Sequence, residues 1–249
     1  MIQILLMTLA ALFLFLQDPN PEIPKSTDKV ESSSGDEAPN QKAEAPYKEV
    51  DPESTIGQPV PAVEVTDLEG GIVDLSELSD KTMVLEFTLP SCRFAQRLYI
   101  QQRVQPMIRR LDRDEIQWYS IDSSFFAHPQ RWRDWAQKYS LKHQFLLDKE
   151  GRLAEALGVK VSPTFIIIHK GKIAYHGSLD DDIWGQDLER KVLLDDALKA
   201  CLGGEKIEKP YEKPYGMAIR TRRVEDLRRK EFEEARKKAL GDFKKPSDQ

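Results

Sequence analysis

The sequence is short of cysteine. Cys92 and Cys201 are the only two in 249 residues, and they stand far apart. A scaffold stapled by several disulfides is therefore excluded, and one bridge is the most that could form. No Cys-x-x-Cys pair and no His-x-x-x-His pair occurs, so no metal site and no cofactor is expected. Charge of one sign is not in excess either. Lys and Arg number 37 against 42 Asp and Glu, and a net charge of −5 gives no basis for a nucleic-acid partner. Long apolar runs are scarce, and no internal repeat is found. With 40% hydrophobic and 32% charged residues, the composition describes one folded core diluted by solvated segments.

The strongly apolar run is "IQILLMTLAALFLFL", residues 2–16. As a helix it would span roughly 22 Å, short of a hydrocarbon core of about 30 Å. Residues 1–16 therefore read as a signal peptide or short membrane anchor, which implies an exported, periplasmic or cell-envelope location. Two features run against that reading, since no basic residue precedes the run and no small-x-small cleavage signature follows it. Residues 17–54, as in "PEIPKSTDKVESSSGDEAPNQKAEAP", hold almost no large apolar side chains and read as a disordered linker. Residues 55–204 read as the folded domain, and residues 205–249 as an extended segment plus a charged helical tail.

Inside the domain, strands and helices alternate, which predicts an α/β fold with a central mixed sheet flanked by helices. Short strands are expected at 62–66 and 72–75, joined by "LEGG" and followed by a helical turn capped by Ser76. "KTMVLEFTL" reads as a strand buried on both faces, broken by Pro90 and Ser91. A long helix is expected from Cys92 to Asp112, a strand at 116–123 and a helix at 129–140. A strand "QFLLD" and a short helix "RLAEALG" come next. Two strands joined at Lys170–Gly171 follow, then a helix from Gly185 to Leu202.

Cys92 stands where the buried strand gives way to a helix. Free N–H groups and the positive end of the helix dipole favour a thiolate there, and Arg93 and Arg97 add positive charge. The plain alternative is a small buried hydrophobe. Glu86 lies inside "MVLEF", where a charge is expensive unless paired or protonated. The four histidines fall on loops and strand ends, and nothing places one beside Cys92. Cys201 reads as a core residue of a late amphipathic helix.

Four stretches in order, "IGQPVPAVEVTDLEGGIVDLSEL", "VLEFTLPSC", "LLDKEGRLAEALGVKVSPTFIII" and "GKIAYHG", resemble the thioredoxin-like superfamily. Within it they are most similar to the redoxin branch of alkyl hydroperoxide reductase and thiol-specific antioxidant proteins. The resemblance covers about residues 56–202 and implies a thioredoxin-like fold with an N-terminal β-hairpin extension. It also implies a cis peptide before Pro163 that sets the backbone of Ser162 beside the active-site sulfur. Ser162, Pro163 and Thr164 are then the expected substrate-binding edge. Glu86 stands where the superfamily often places a buried acid that shuttles a proton for a second thiol. Here that second thiol is missing, because position 95 is Ala. A narrower resemblance aligns "YGMAIR" with a segment that elsewhere carries a C-terminal cysteine, and Met217 stands at that place.

These readings lead to a monothiol redox protein. Cys92 would exchange with thiol- or disulfide-bearing proteins or small thiols, and an external thiol would resolve the product. A peroxide reductase is a weaker form of the same idea, because Leu85 and Leu89 replace the Pro and Thr of the peroxiredoxin loop. The alternative of another class is a thioredoxin-fold binding module without catalysis. The redox reading requires the sulfur to be reachable and close to the proline bend.

Overall fold

In the computed structural model, residues 49–78, 81–113 and 116–242 are described. The readings of residues 1–16 and of the linker up to 48 lie outside them. Among the described residues, no helix is long and apolar enough to cross a membrane. Packed structure begins ahead of residue 55. Pro52–Thr55 form a 3-10 turn capped by the Asp51 side chain, and Thr55 is buried.

The strands are β1 (Glu64–Asp67), β2 (Ile72–Asp74), β3 (Met83–Phe87), β4 (Gln117–Asp122), β5 (Gln144–Leu147), β6 (Val161–Ser162), β7 (Thr164–His169), β8 (Lys172–Gly177) and β9 (Met217–Ala218). The helices are α1 (Arg93–Ile100), α2 (Gln105–Arg113), α3 (Pro129–Tyr139), α4 (Arg152–Ala156), α5 (Leu193–Gly203) and α6 (Arg222–Asp242). Seven strands form one sheet in the order β2-β1-β5-β4-β3-β7-β8, while β6 pairs separately with β9. Strands β3, β4 and β5 run parallel, and β7, β8 and the β1–β2 hairpin run antiparallel to their neighbours. This is the expected mixed sheet with its N-terminal hairpin. Every residue of β3 is buried, as a strand covered on both faces must be.

The two faces of the sheet carry separate cores. Val84, Trp118, Phe165 and Ile167 point into one, with α2, α3 and α5. Leu85, Phe87, Ile121, Ile166 and Ile168 point into the other, with α4. Successive side chains of a strand face opposite ways, so neighbouring residues of β3 and β7 feed different cores.

Two expected helices are corrected. The stretch from Cys92 to Asp112 is two helices, with a break at residues 101–104 where Gln102 takes left-handed backbone at φ 53°. Pro106 accounts for the break. Inside a continuous helix its ring would meet the carbonyl of residue 102, whereas at the second position of α2 it needs no N–H partner. The helix expected from Gly185 begins only at Leu193. Before it, the Asp182 carboxylate accepts the backbone N–H groups of Gly185, Gln186 and Asp187 at 2.7–3.1 Å and winds that segment into a turn. In the first 3-10 turn after β2, the group that accepts the N–H of Ser76 is the Asp74 carboxylate, at 2.8 Å, and Ser76 is not the cap.

Candidate active site

Strand β3 ends at Phe87, and Leu89–Ser91 carry the chain to Cys92, the N-cap residue of α1. The loop is fastened at both ends. Cys92 N–H donates to the Leu89 carbonyl at 2.9 Å, and the Gln96 side chain donates to the Pro90 carbonyl at 2.8 Å. Against it lies the segment 161–164, with a cis peptide between Ser162 and Pro163. Ser162 holds the two pieces together, since its hydroxyl oxygen accepts the Leu89 N–H at 3.0 Å. Its carbonyl accepts the Cys92 S–H, also at 3.0 Å. Thr164 closes the turn by donating its hydroxyl to the Val161 carbonyl at 2.7 Å. Cys92, Ser162, Pro163 and Thr164 thus meet at one point.

The sulfur lies close to the proline bend but is not open to solvent, so the access that the redox reading requires is missing in this conformation. Cys92 is 0% exposed and belongs to the apolar cluster of Phe87, Leu89, Ala95 and Ile121. Among the described residues, its side-chain hydrogen bond is the one to the Ser162 carbonyl. Arg93 is exposed, with its guanidinium 5.0 Å from the Phe94 ring centroid. Arg97 donates to the carbonyls of Ile183 and Asp182 and to the Tyr215 hydroxyl, the last at 3.3 Å. A cleft of about 430 Å³ opens beside the loop, lined in part by Pro90, Ser91, Phe126, Arg131 and Lys138. A partner could reach the loop through it.

Glu86 is directed away from the sulfur. It alternates with Leu85 and Phe87, so its carboxyl faces the core opposite to the one holding Cys92. Its Oε2 accepts from the Tyr99 hydroxyl at 2.8 Å, the Ser120 hydroxyl at 2.9 Å and the Trp118 indole at 3.0 Å. Burial raises its pKa, and these three donors only partly offset that. Ser120 continues the chain to His143 Nε2 at 2.8 Å. If the Ser120 hydroxyl donates to Glu86, the imidazole donates to Ser120 from Nε2. Burial lowers the His143 pKa to about 3. A cavity of about 870 Å³, lined in part by Gln105, Trp118 and His143, lies at the end of the strands away from Cys92. Cys201 is buried in α5 on the same face as Glu86, with its pKa raised by burial, and both cysteines are free.

Sequence reasoning found the sulfur and the bend but not the Tyr99–Trp118–Ser120–His143 set around Glu86. No motif marks those residues, and only strand order brings them together. The segment "YGMAIR", singled out because Met217 stands where a cysteine occurs elsewhere, returns beside Ser162. Met217 pairs with Ser162 in β9, and Ile219 packs in the same apolar cluster as Cys92.

The comparisons agree with this architecture. Residues 56–176 match the model of the AhpC/TSA family. Among solved structures, a hypothetical protein from Sinorhizobium meliloti 1021 is 20% identical, with a TM-score of 0.59 over 67% of this chain and 94% of that one. An uncharacterized conserved protein from Geobacillus kaustophilus is also 20% identical, with a TM-score of 0.60 over 66% of this chain and 91% of that one. At that identity the likeness speaks for the fold alone. A search of curated proteins found no match. Residues 56–176 are thus similar to the AhpC/TSA family, and the fold is the expected thioredoxin-like one.

Proposed function

We propose that this protein is an exported monothiol redox protein that exchanges disulfides through Cys92. The observation that carries the reading is the sulfur at the start of α1, 3.0 Å from the Ser162 carbonyl. In the first step the Cys92 thiolate attacks one sulfur of a partner disulfide. A mixed disulfide forms, and the partner's other sulfur leaves as a thiolate. An external thiolate then attacks the Cys92 sulfur and releases the reduced partner. A second external thiol frees Cys92, so two thiols become one disulfide for each partner disulfide reduced. Cys201 is not placed to resolve the intermediate, because it lies on the other face of the sheet. Glu86 has no part in this scheme.

The sealed sulfur favours a second reading, a binding module whose cysteine is structural. One experiment separates them. The full chain is assayed for reduction of a model protein disulfide by a small thiol, beside Cys92→Ser and Cys201→Ser. The exchange reading expects turnover by wild type and Cys201→Ser, with Cys92→Ser at the uncatalysed background. Equal rates for all three chains would leave the binding module.

A further inference from the structure

Strand β9 lies across the edge at which an extended partner would meet the thiol. It runs antiparallel to β6, with Ser162 opposite Met217 and Val161 opposite Ala218. The ladder continues where the Ile219 N–H donates to the Lys160 carbonyl at 2.9 Å. The backbone that could hold a partner's strand is therefore already paired with the chain's own residues. We infer that residues 215–219 form an intramolecular strap that must lift before Cys92 can react.

Gly216 gives the strap its fit. A Cβ built there would lie 2.0 Å from the Ser162 carbonyl oxygen and 3.1 Å from the Pro163 nitrogen. The Gly216 backbone is not in the left-handed region, so glycine is required for room and not for torsion. The same carbonyl oxygen accepts the Cys92 S–H, which puts strap and sulfur against one atom.

The strap is held firmly at its ends and lightly between them. Upstream, the Tyr215 hydroxyl donates to Asp180 at 2.7 Å, and the Arg97 guanidinium donates to the same hydroxyl. Before that, Glu212 N–H donates to the His176 carbonyl at 3.0 Å. Downstream, the Arg220 carbonyl accepts the Phe125 N–H at 2.8 Å, and the Thr221 hydroxyl donates to Glu155 at 3.0 Å. Between these anchors Met217 and Ala218 are exposed and only Ile219 is buried, so backbone pairing more than side-chain burial keeps β9 itself in place. Such a segment can open locally while both anchors hold. The strap rests on the exchange reading only for what the uncovered thiol does, and its test reads access to the sulfur alone.

The full chain is treated with iodoacetamide, and peptide mass mapping follows Cys92 separately from Cys201. Gly216→Val crowds the strap off the edge, and Tyr215→Phe removes the anchoring hydrogen bonds of the hydroxyl to Asp180, Arg97 and the Asp182 carbonyl without crowding anything. Amide exchange at residues 217–219 reports lifting. The inference expects Gly216→Val to alkylate Cys92 about tenfold faster or more, with a retained unfolding transition and faster exchange at 217–219. Tyr215→Phe should move both readouts the same way by less. Fast exchange at 217–219 with Cys92 still as slow as in wild type would overturn it. So would wild-type alkylation as fast as in urea. Should Gly216→Val not fold, agreement between alkylation and 217–219 opening in wild type and Tyr215→Phe upholds the strap, and disagreement overturns it. A variant that alkylates quickly yet turns over no disulfide would keep the strap and remove the exchange reading.

Discussion

Replacing Arg103 with Met is expected to lower the stability of the domain by about 3–5 kcal/mol, the usual result of removing one partner from a buried ion pair. The Arg103 side chain is 8% exposed and bridges two carboxylates, Asp180 at 2.7 Å and Asp182 at 2.8 Å, which are 0% and 4% exposed. Asp180 also accepts from Arg190 at 3.0 Å and from the Tyr215 hydroxyl, so it is not left bare. Asp182 keeps its three backbone donors. The loss is then the charge neutralisation and the packing of the arginine stem against two carboxylates of low exposure. Urea unfolding at neutral pH measures it. A change under about 1 kcal/mol would mean that the pair is solvated in solution, as an exposed bridge would be. Arg103→Lys should recover part of the loss, since an ammonium serves one carboxylate well but not the fork to both.

The second large effect is one of pH. His143 is held neutral by burial, with its pKa lowered from 6.5 to about 3. The unfolded chain therefore binds this proton at higher pH than the folded one. The stability it contributes is complete above pH 6.5 and drains away as the pH falls toward 3. Between pH 7 and pH 4 the loss is about 3 kcal/mol. His176, lowered to about 4 by burial, acts in the same direction. Glu86, Asp122 and Asp148 act in the opposite one. Burial raises their pKa values, so their contribution is present at low pH and lost as the pH rises through the folded value. The whole-protein curve mixes these signs, so the test is a difference. His143→Gln keeps a donor for Ser120 and removes the titration. Its unfolding free energy, compared with wild type from pH 7 to 4, should diverge by about that amount in favour of the variant. Parallel curves would show that the imidazole is solvated when it titrates.

Much of the fold was legible because it is written locally. The apolar β3 run and the turn at Lys170–Gly171 each announce their geometry within a few residues, and the bend before Pro163 came with the family resemblance. The errors were local conflicts resolved by one side chain. Pro106 divides α1 from α2, and Asp182 winds residues 185–187 into a turn in place of a helix. What could not be read was anything set by strand order. Glu86 meets Ser120 only because β3 lies beside β4 in a register that makes them partners. The placement of Cys92 could be read for the same reason that its sealing could not. The loop and α1 are contiguous with the cysteine, whereas the cover returns from residues 215–219 after the whole sheet has been completed.

The placement of the two cysteines on opposite sides of a seven-stranded sheet also fixes where oxidative chemistry can lead. An internal crosslink between them would require the sheet itself to come apart. Whatever Cys92 joins covalently in the native molecule must come from outside, as a small-thiol adduct or a bond to another chain. Oxidised preparations should gain mass or double in size, and they should not shift to a more compact monomer.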